Sequence, residues 1–247
     1  MRILVTNDDG IDSPGLLVLA AAARELGFEV TVAAPSWNSS GASGALTAVQ
    51  QDGKVVMENR EVKELGNSPV YSVQAAPAYI ARAAVRGAFG EPPDVVLSGV
   101  NAGANTGQAV LHSGTVCAAL TAFTHGASAM AISIDSHDPQ HWETAFHVAK
   151  PLIRWIADLD QSIVLNVNLP DRRVSELREL RRGTLAAFGA VQTHMTEITK
   201  GHVRTEFSEL SADEEGTDAC LLADGFTTVT ALRAIGADSA LDVSILG

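Results

Sequence analysis

Two adjacent carboxylates, Asp8 and Asp9, stand at the end of an apolar run in ILVTNDDGIDSPG, residues 3–15. Neighbouring negative charges repel, so the pairing costs free energy unless something positive lies between them. Two later stretches add oxygen donors: SWNSSGASG brings Ser39, Ser40 and Ser43, and GVNAGANTGQAVLHSGT brings Asn101 and Asn105. Carboxylate, hydroxyl and amide oxygens are hard ligands, suited to Mg²⁺, Mn²⁺ or Ca²⁺. A dication held among them would remove the repulsion. The third stretch has four glycines between residues 99 and 114 and almost no charge. Such a backbone can aim several N–H groups at an anion. Ser113-Gly114-Thr115 then opens a helical run, and a helix N-terminus favours phosphate. The combined pattern suggests a metal beside a phosphate cradle. Each piece alone has a plainer reading. Asp-Asp-Gly after a strand also serves as a turn with a helix cap, and a Ser/Gly-rich stretch as an ordinary loop. GxxxxGK[ST] is absent, and neither GxGxxG nor the DxD of aspartyl-phosphate phosphatases follows the first strand.

These loops need a scaffold, and the elements around them supply one. RILVT reads as a buried strand, Pro14 opens a helix that Gly27 stops, and FEVTVAAP reads as a second strand. This is a βαβ unit. Short β-like pieces fill 46–73, a helix is expected over PAYIARAAVRGAF, and DVVLS (94–98) reads as a strand before the Gly-rich stretch. A helix over GTVCAALTAFTHG, a strand over SAMAISI, a helix over 140–158 and a strand over SIVLNVNLP follow. The alternation predicts an α/β fold with a mainly parallel sheet, in which ligands bind outside the carboxyl ends of the strands. If the three strands before the three loops are neighbours, the loops meet in one pocket. Past residue 170 the pattern changes to short β-like pieces, HVRTEF, FTTVTAL and SALDVSIL, among polar segments. The expected organisation is a core over 1–170, with a short β insertion at 46–73, and a β-rich extension over 171–247 that packs on the core or reaches a partner subunit.

With 247 residues, 46% of them apolar, the chain can bury one substantial core. A net charge of −12 argues against duplex nucleic acid as a partner. The two cysteines, Cys117 and Cys220, form neither a zinc motif nor a disulfide framework, which fits a reducing, cytoplasmic setting. The N-terminus lacks the form of a signal peptide, and no apolar stretch is long enough for a membrane span.

RILVTNDDGIDSPG, SSGASGALT, SGVNAGANTG and SGTVCAAL, followed by GTDACLLADGFTTVTAL, resemble the SurE family of survival-protein nucleotidases, in the family's order and over nearly the whole chain. The resemblance implies a Rossmann-like core and a metal-dependent phosphatase acting on nucleoside monophosphates, as a 5'- and possibly 3'-nucleotidase. It implies homodimers or homotetramers built partly by exchange of C-terminal segments. It places one divalent cation per subunit on Asp8, Asp9, Ser40 and Asn101. Asn7 falls near the reacting phosphate, and Asn105 with Ser113, Gly114 and Thr115 falls on the phosphate side. Three positions depart from the family's usual residues: Ser36-Trp37 after Pro35, Ala75-Ala76-Pro77 followed by Tyr79, and His112 before the SGT turn. All three bear on the substrate and none on the metal ligands.

The expected chemistry is metal-assisted phosphomonoester hydrolysis. Asp8 is the candidate base or water-positioner. Asn7, Asn105 and the 113–115 amides are candidates to stabilise the phosphoryl oxygens. His112 is a candidate leaving-group acid, or a loop residue with one structural hydrogen bond. The competing readings are a non-hydrolysing, metal-dependent nucleotide-binding regulator, and a phosphatase for a non-nucleotide metabolite.

Overall fold

The computed structural model describes residues 1–187, 191–199, 202–209 and 215–236, of which 191–199 and 202–209 are described through the backbone alone. The chain opens with β1 (Arg2–Thr6), α1 (Pro14–Glu25) and β2 (Glu29–Pro35). Short strands β3 (Gln50–Gln51), β4 (Lys54–Val55) and β5 (Met57–Asn59) precede β6 (Val70–Val73) and α2 (Pro77–Ala84). Next come β7 (Val95–Ala102), α3 (Gly114–Thr124), β8 (Ser128–Asp135), α4 (Trp142–Ala157) and β9 (Val164–Pro170). The last part holds β10 (Leu180–Arg182), the hairpin β11 (Val191–Thr199) and β12 (His202–Glu209), then α5 (Asp218–Ala223) and β13 (Thr227–Ala231).

One nine-stranded sheet carries the fold, in the order β10-β13-β9-β8-β7-β1-β2-β6-β5. From β6 through β9 all neighbours run parallel. Parallel strands covered on both faces lose the in-out alternation of half-exposed strands. Ile3, Leu4 and Val5 are all buried accordingly. Helices α1 and α4 pack on one face, where Leu16, Leu19, Ile153 and Ile156 join the core. Helices α2 and α3 cover the other, where Ile80, Ala81, Val116 and Ala119 meet Leu4 and Val96. Both helix pairs are rich in alanine, which lets them sit close to the strands.

The chain adds β2 and β6 on one side of β1, then crosses to place β7 on the other. The order reverses between β1 and β7, the position where open α/β sheets hold their ligands. The three strands that end in the donor-bearing loops, β7, β1 and β2, are direct neighbours.

Three elements differ from their expected extent. Helix α2 stops at Ala84, because Gly87 takes φ +83° and the chain turns there, Gly87 N donating to Ala84 O at 2.9 Å. Strand β7 runs on to Ala102, so Asn101 lies on the strand rather than in a loop, just beyond a register shift between Gly99 and Asn101. Past Pro170, β10 and β13 enter the main sheet, β13 pairing antiparallel with β9. The sheet therefore crosses position 170 without a break. HVRTEF falls in β12 and FTTVTAL covers β13, whereas SALDVSIL (239–246) lies outside the described residues. Among the described residues no helix is long and apolar enough to cross a membrane.

Candidate functional site

Asp8 and Asp9 follow β1 directly, at the switch point between β1 and β7. Asp8 is only 4% exposed, and Asp9 is partly buried. Burial pushes the Asp8 carboxyl above the usual carboxylate range, against the lowering effect of the Thr115 hydroxyl and the 114–115 backbone. Asp9 is raised to about 6, first by burial and then by the charge of Asp8, while the Ala102 N–H, 3.3 Å from Oδ2, pulls the other way. The repulsion inferred from adjacent carboxylates is therefore built into the fold, because Asp8 is buried and Asp9 only partly exposed beside it.

The second loop is tied to the first through its backbone. Ser39 N and Ser39 Oγ both donate to Asp8 O, at 2.7 and 3.1 Å. Ser40, next in sequence, is exposed, and its own N–H is taken by Asn38 Oδ1 at 2.9 Å. Ser43 Oγ donates to Leu111 O at 2.7 Å, joining the second loop to the third. At the end of β7, Asn101 Nδ2 donates to Gly103 O at 2.7 Å, which leaves Oδ1 as the atom available to a cation.

The donor set fits a hard divalent cation. Among the described residues no cationic side chain pairs with the two crowded carboxylates, a hydroxyl loop follows β2, and an amide oxygen lies at the end of β7. Among the described residues no three of His, Cys, Asp and Glu gather into a metal group.

Helix α3 comes to the same place. Ser113 caps it, Oγ accepting from Val116 N at 3.1 Å. The Thr115 hydroxyl donates to Asp8 Oδ1, and the backbone of Gly114 and Thr115 turns toward the same carboxylate. A Cβ on Gly114 would come within 2.7 Å of Asp8 Oδ2 and 2.8 Å of Asp8 Cβ. The helix N-terminus expected to face phosphate faces Asp8. It lends the carboxylate the partial positive charge of the first turn.

Two other candidates spend their polar groups on the scaffold. Asn7 Nδ2 donates to Gly10 O at 3.0 Å and its Oδ1 accepts from Gly10 N at 3.2 Å, closing the turn that carries both aspartates. Asn105 Nδ2 donates to Ser133 Oγ at 2.8 Å, and its N–H to Asn168 Oδ1 at 2.7 Å. Its carbonyl accepts from Asn166 Nδ2 at 2.7 Å and Asn168 Nδ2 at 2.9 Å. His112 is exposed at the end of the helical turn Gly107–His112, two residues before α3.

Ser133, Asn166, Asn168 and Asp218 were missed from sequence. A signal existed for two of them: in VLNVNLP the asparagines alternate with apolar residues, which puts both amides on one face of β9. Asp218 lies in the GTDACLLADGF stretch that carries the resemblance, but nothing in its type or local setting told which groups it binds. It is fully buried, and burial raises its carboxyl against the N–H groups of Ala186, Gly107 and Ala219.

The family described as "Survival protein SurE" matches residues 3–193. A protein of Legionella pneumophila subsp. pneumophila, "5'-nucleotidase SurE", is 43% identical over 183 residues, covering 73% of this chain and 68% of its own. Another of that name, from Alkalilimnicola ehrlichii, is 34% identical over 240 residues, or 94% and 89% of the two chains. The crystal structure of the SurE protein from Aquifex aeolicus superposes with a TM-score of 0.78 at 26% identity, covering 99% of this chain and 98% of that one. Matched in sequence along most of its length and in fold along almost all of it, the chain belongs to the SurE family.

Proposed function

We propose that this protein hydrolyses nucleoside monophosphates to nucleoside and phosphate, as a 5'-nucleotidase that also accepts 3'-nucleotides. The reading assigns one divalent cation, Mg²⁺, Mn²⁺ or Ca²⁺, to Asp8, Asp9, Ser40 and Asn101. The observation that carries it is a pair of adjacent carboxylates, one buried and one partly buried, at the switch point of a parallel sheet, with oxygen donors at the end of β7 and in the loop after β2. Its relatives' shared name, 5'-nucleotidase SurE, supplies the substrate class.

A divalent cation bound there offsets charge on the phosphoryl oxygens and makes a bound water more acidic. The chain's own residues do the rest. Asp8, held by the Thr115 hydroxyl and the first turn of α3, is fixed in one orientation and can take a proton from water. Asn7 keeps the aspartate turn closed, and Asn105 pins the backbone of the 103–107 stretch against β8 and β9. Both therefore act by placing the substrate-side backbone. His112, exposed beside this stretch, is the group positioned to protonate a leaving oxygen. Ser36, Trp37, Tyr79 and His112 are where this chain's preference among nucleotides is set. The activity operates in the cytoplasm, and residues 171–247 supply the contacts of a homodimer or homotetramer. Light scattering that finds a monomer at micromolar concentration would refute that assembly.

Phosphate release from a panel of nucleoside 5'- and 3'-monophosphates and sugar phosphates, with Mn²⁺ and with chelator, tests the reading. Turnover of nucleotides that stops on chelation is expected. Equal turnover with chelator, or turnover of sugar phosphates alone, would overturn it.

A further inference from the structure

Among the described residues, Asp218 is the one buried carboxylate that the proposed chemistry leaves without a task. A carboxylate taken out of water costs free energy unless donors surround it. Here backbone groups of three segments converge on it. Oδ2 accepts from Gly107 N at 3.0 Å, and Oδ1 accepts from Gly107 N at 3.2 Å, Ala186 N at 3.0 Å and Ala219 N at 2.9 Å. Only Ala219 belongs to its own helix. Capping does not explain the residue, because Thr217 Oγ1 already accepts from Cys220 N, at 3.4 Å. The bonds run outward instead. Ala186 O accepts from Gln108 N at 3.1 Å, so the 183–186 segment grips the start of the Gly107–His112 turn twice, once directly and once through Asp218. Asp218 N returns a bond to Thr184 O at 2.7 Å. The far end of that turn carries His112, and Leu111 O receives the Ser43 hydroxyl of the second loop. Ser113 follows immediately and caps α3, whose Thr115 holds Asp8.

We propose that Asp218 is a positioning residue that clamps the Gly107–His112 turn to the C-terminal part of the chain, and thereby sets where His112 and the start of α3 stand relative to Asp8. It touches neither substrate nor cation. The inference rests on the nucleotidase reading for its kinetic consequence, but the clamp itself is independent of it.

Asp218→Asn keeps the shape and one acceptor. Its amide must then present N–H toward one of the donors it now accepts, and Gly107 N, which spans both oxygens, loses most. Mn²⁺ affinity by calorimetry is expected to fall by less than kcat does, because Asp218 touches no cation ligand and reaches Asp8 only through the turn and α3. The kcat for a nucleoside monophosphate is expected to fall about 10- to 100-fold, the range a small misplacement of catalytic groups produces. Amide hydrogen exchange in 105–113 should quicken about tenfold or more while β1 and β7 keep their protection. Asp224→Asn, an exposed change at the other end of α5, should alter none of these. An unchanged kcat, or exchange that rises evenly through the sheet, would overturn the proposal. If Asp218→Asn does not fold, wild-type exchange decides: the amides of Gly107, Ala186 and Ala219 must open together as one unit, and a Gly107 amide that exchanges separately and faster refutes the clamp. If wild type releases no phosphate, the nucleotidase reading fails while the exchange result still judges the clamp.

Discussion

Gly114→Ala gives a test whose sign separates two accounts of this glycine. In a helix an alanine is more favourable than glycine by about 0.5–1 kcal/mol, so propensity alone predicts stabilisation. The structure predicts the reverse. The new Cβ would stand 2.8 Å from Asp8 Cβ, 3.1 Å from Asp8 Cγ and 2.7 Å from Oδ2. Carbon atoms are comfortable at about 3.5–4.0 Å, so Asp8 must retreat by about 0.7 Å or more. Its Cβ is not the free end of a flexible side chain. The retreat therefore moves the backbone of the Asn7–Gly10 turn, or moves α3 away from the sheet. Overpacking of this kind costs about 1–3 kcal/mol, which exceeds the helix gain. The variant should lose about 0.5–2 kcal/mol in urea unfolding with chelator present. Because the displaced group is a proposed cation ligand, Mn²⁺ affinity should fall about tenfold, equivalent to about 1.4 kcal/mol. Urea titrations with and without Mn²⁺, beside calorimetry, read both quantities. A Gly114→Ala protein that is as stable as wild type and binds Mn²⁺ equally well would refute the close approach of Asp8 to α3.

Asp9→Asn removes a formal charge with little change of shape, so calorimetric Mn²⁺ affinity should drop about tenfold or more while the far-ultraviolet dichroism stays the same; equal affinity would remove Asp9 from the site. Thr115→Ala takes the hydroxyl from the buried Asp8 carboxylate and should cost about 1–3 kcal/mol of stability, whereas Thr115→Ser, which keeps the donor, should cost clearly less in the same denaturation assay. Asp171 is held below the usual carboxylate range: burial works against this, but the Gln140 N–H and the N–H and ring of His141 outweigh it. A depressed folded-state value means that its stabilisation is present above the unfolded value of about 3.9 and is lost as pH falls through the folded value. Asp171→Asn should therefore cost about 1–2 kcal/mol at pH 7, and this gap to wild type should close in strong acid, as urea midpoints at the two pH values will show.

Much of the scaffold was legible because its signals are local. Ile3, Leu4 and Val5 in a run announce a strand buried on both faces, and Pro14 and Gly27 mark the two ends of one helix. The residue types of Asp8, Asp9, Ser39, Ser40, Ser43, Asn101 and Asn105 alone indicated hard-cation chemistry, and the resemblance narrowed them to Asp8, Asp9, Ser40 and Asn101. Their convergence was conditional on β7, β1 and β2 being neighbours, which no local pattern states and the strand order supplies.

What sequence by itself determined was the set of elements and the kind of chemistry the loops can hold, because propensity, periodicity and ligand type belong to residues and their near neighbours. Tertiary structure decided how each polar group is spent. Asn7 looks free to meet phosphate until its amide is seen closing on Gly10, and Asn105 until Ser133, Asn166 and Asn168 surround it. Gly114 reads as room for a ligand, yet the group against it is Asp8. Asp218, more than a hundred residues from Gly107, became visible only through the bonds it accepts. A hydrogen bond across such a separation depends on the path of the whole chain, and the path is settled by packing the sheet and its helices rather than by any stretch of residues within it.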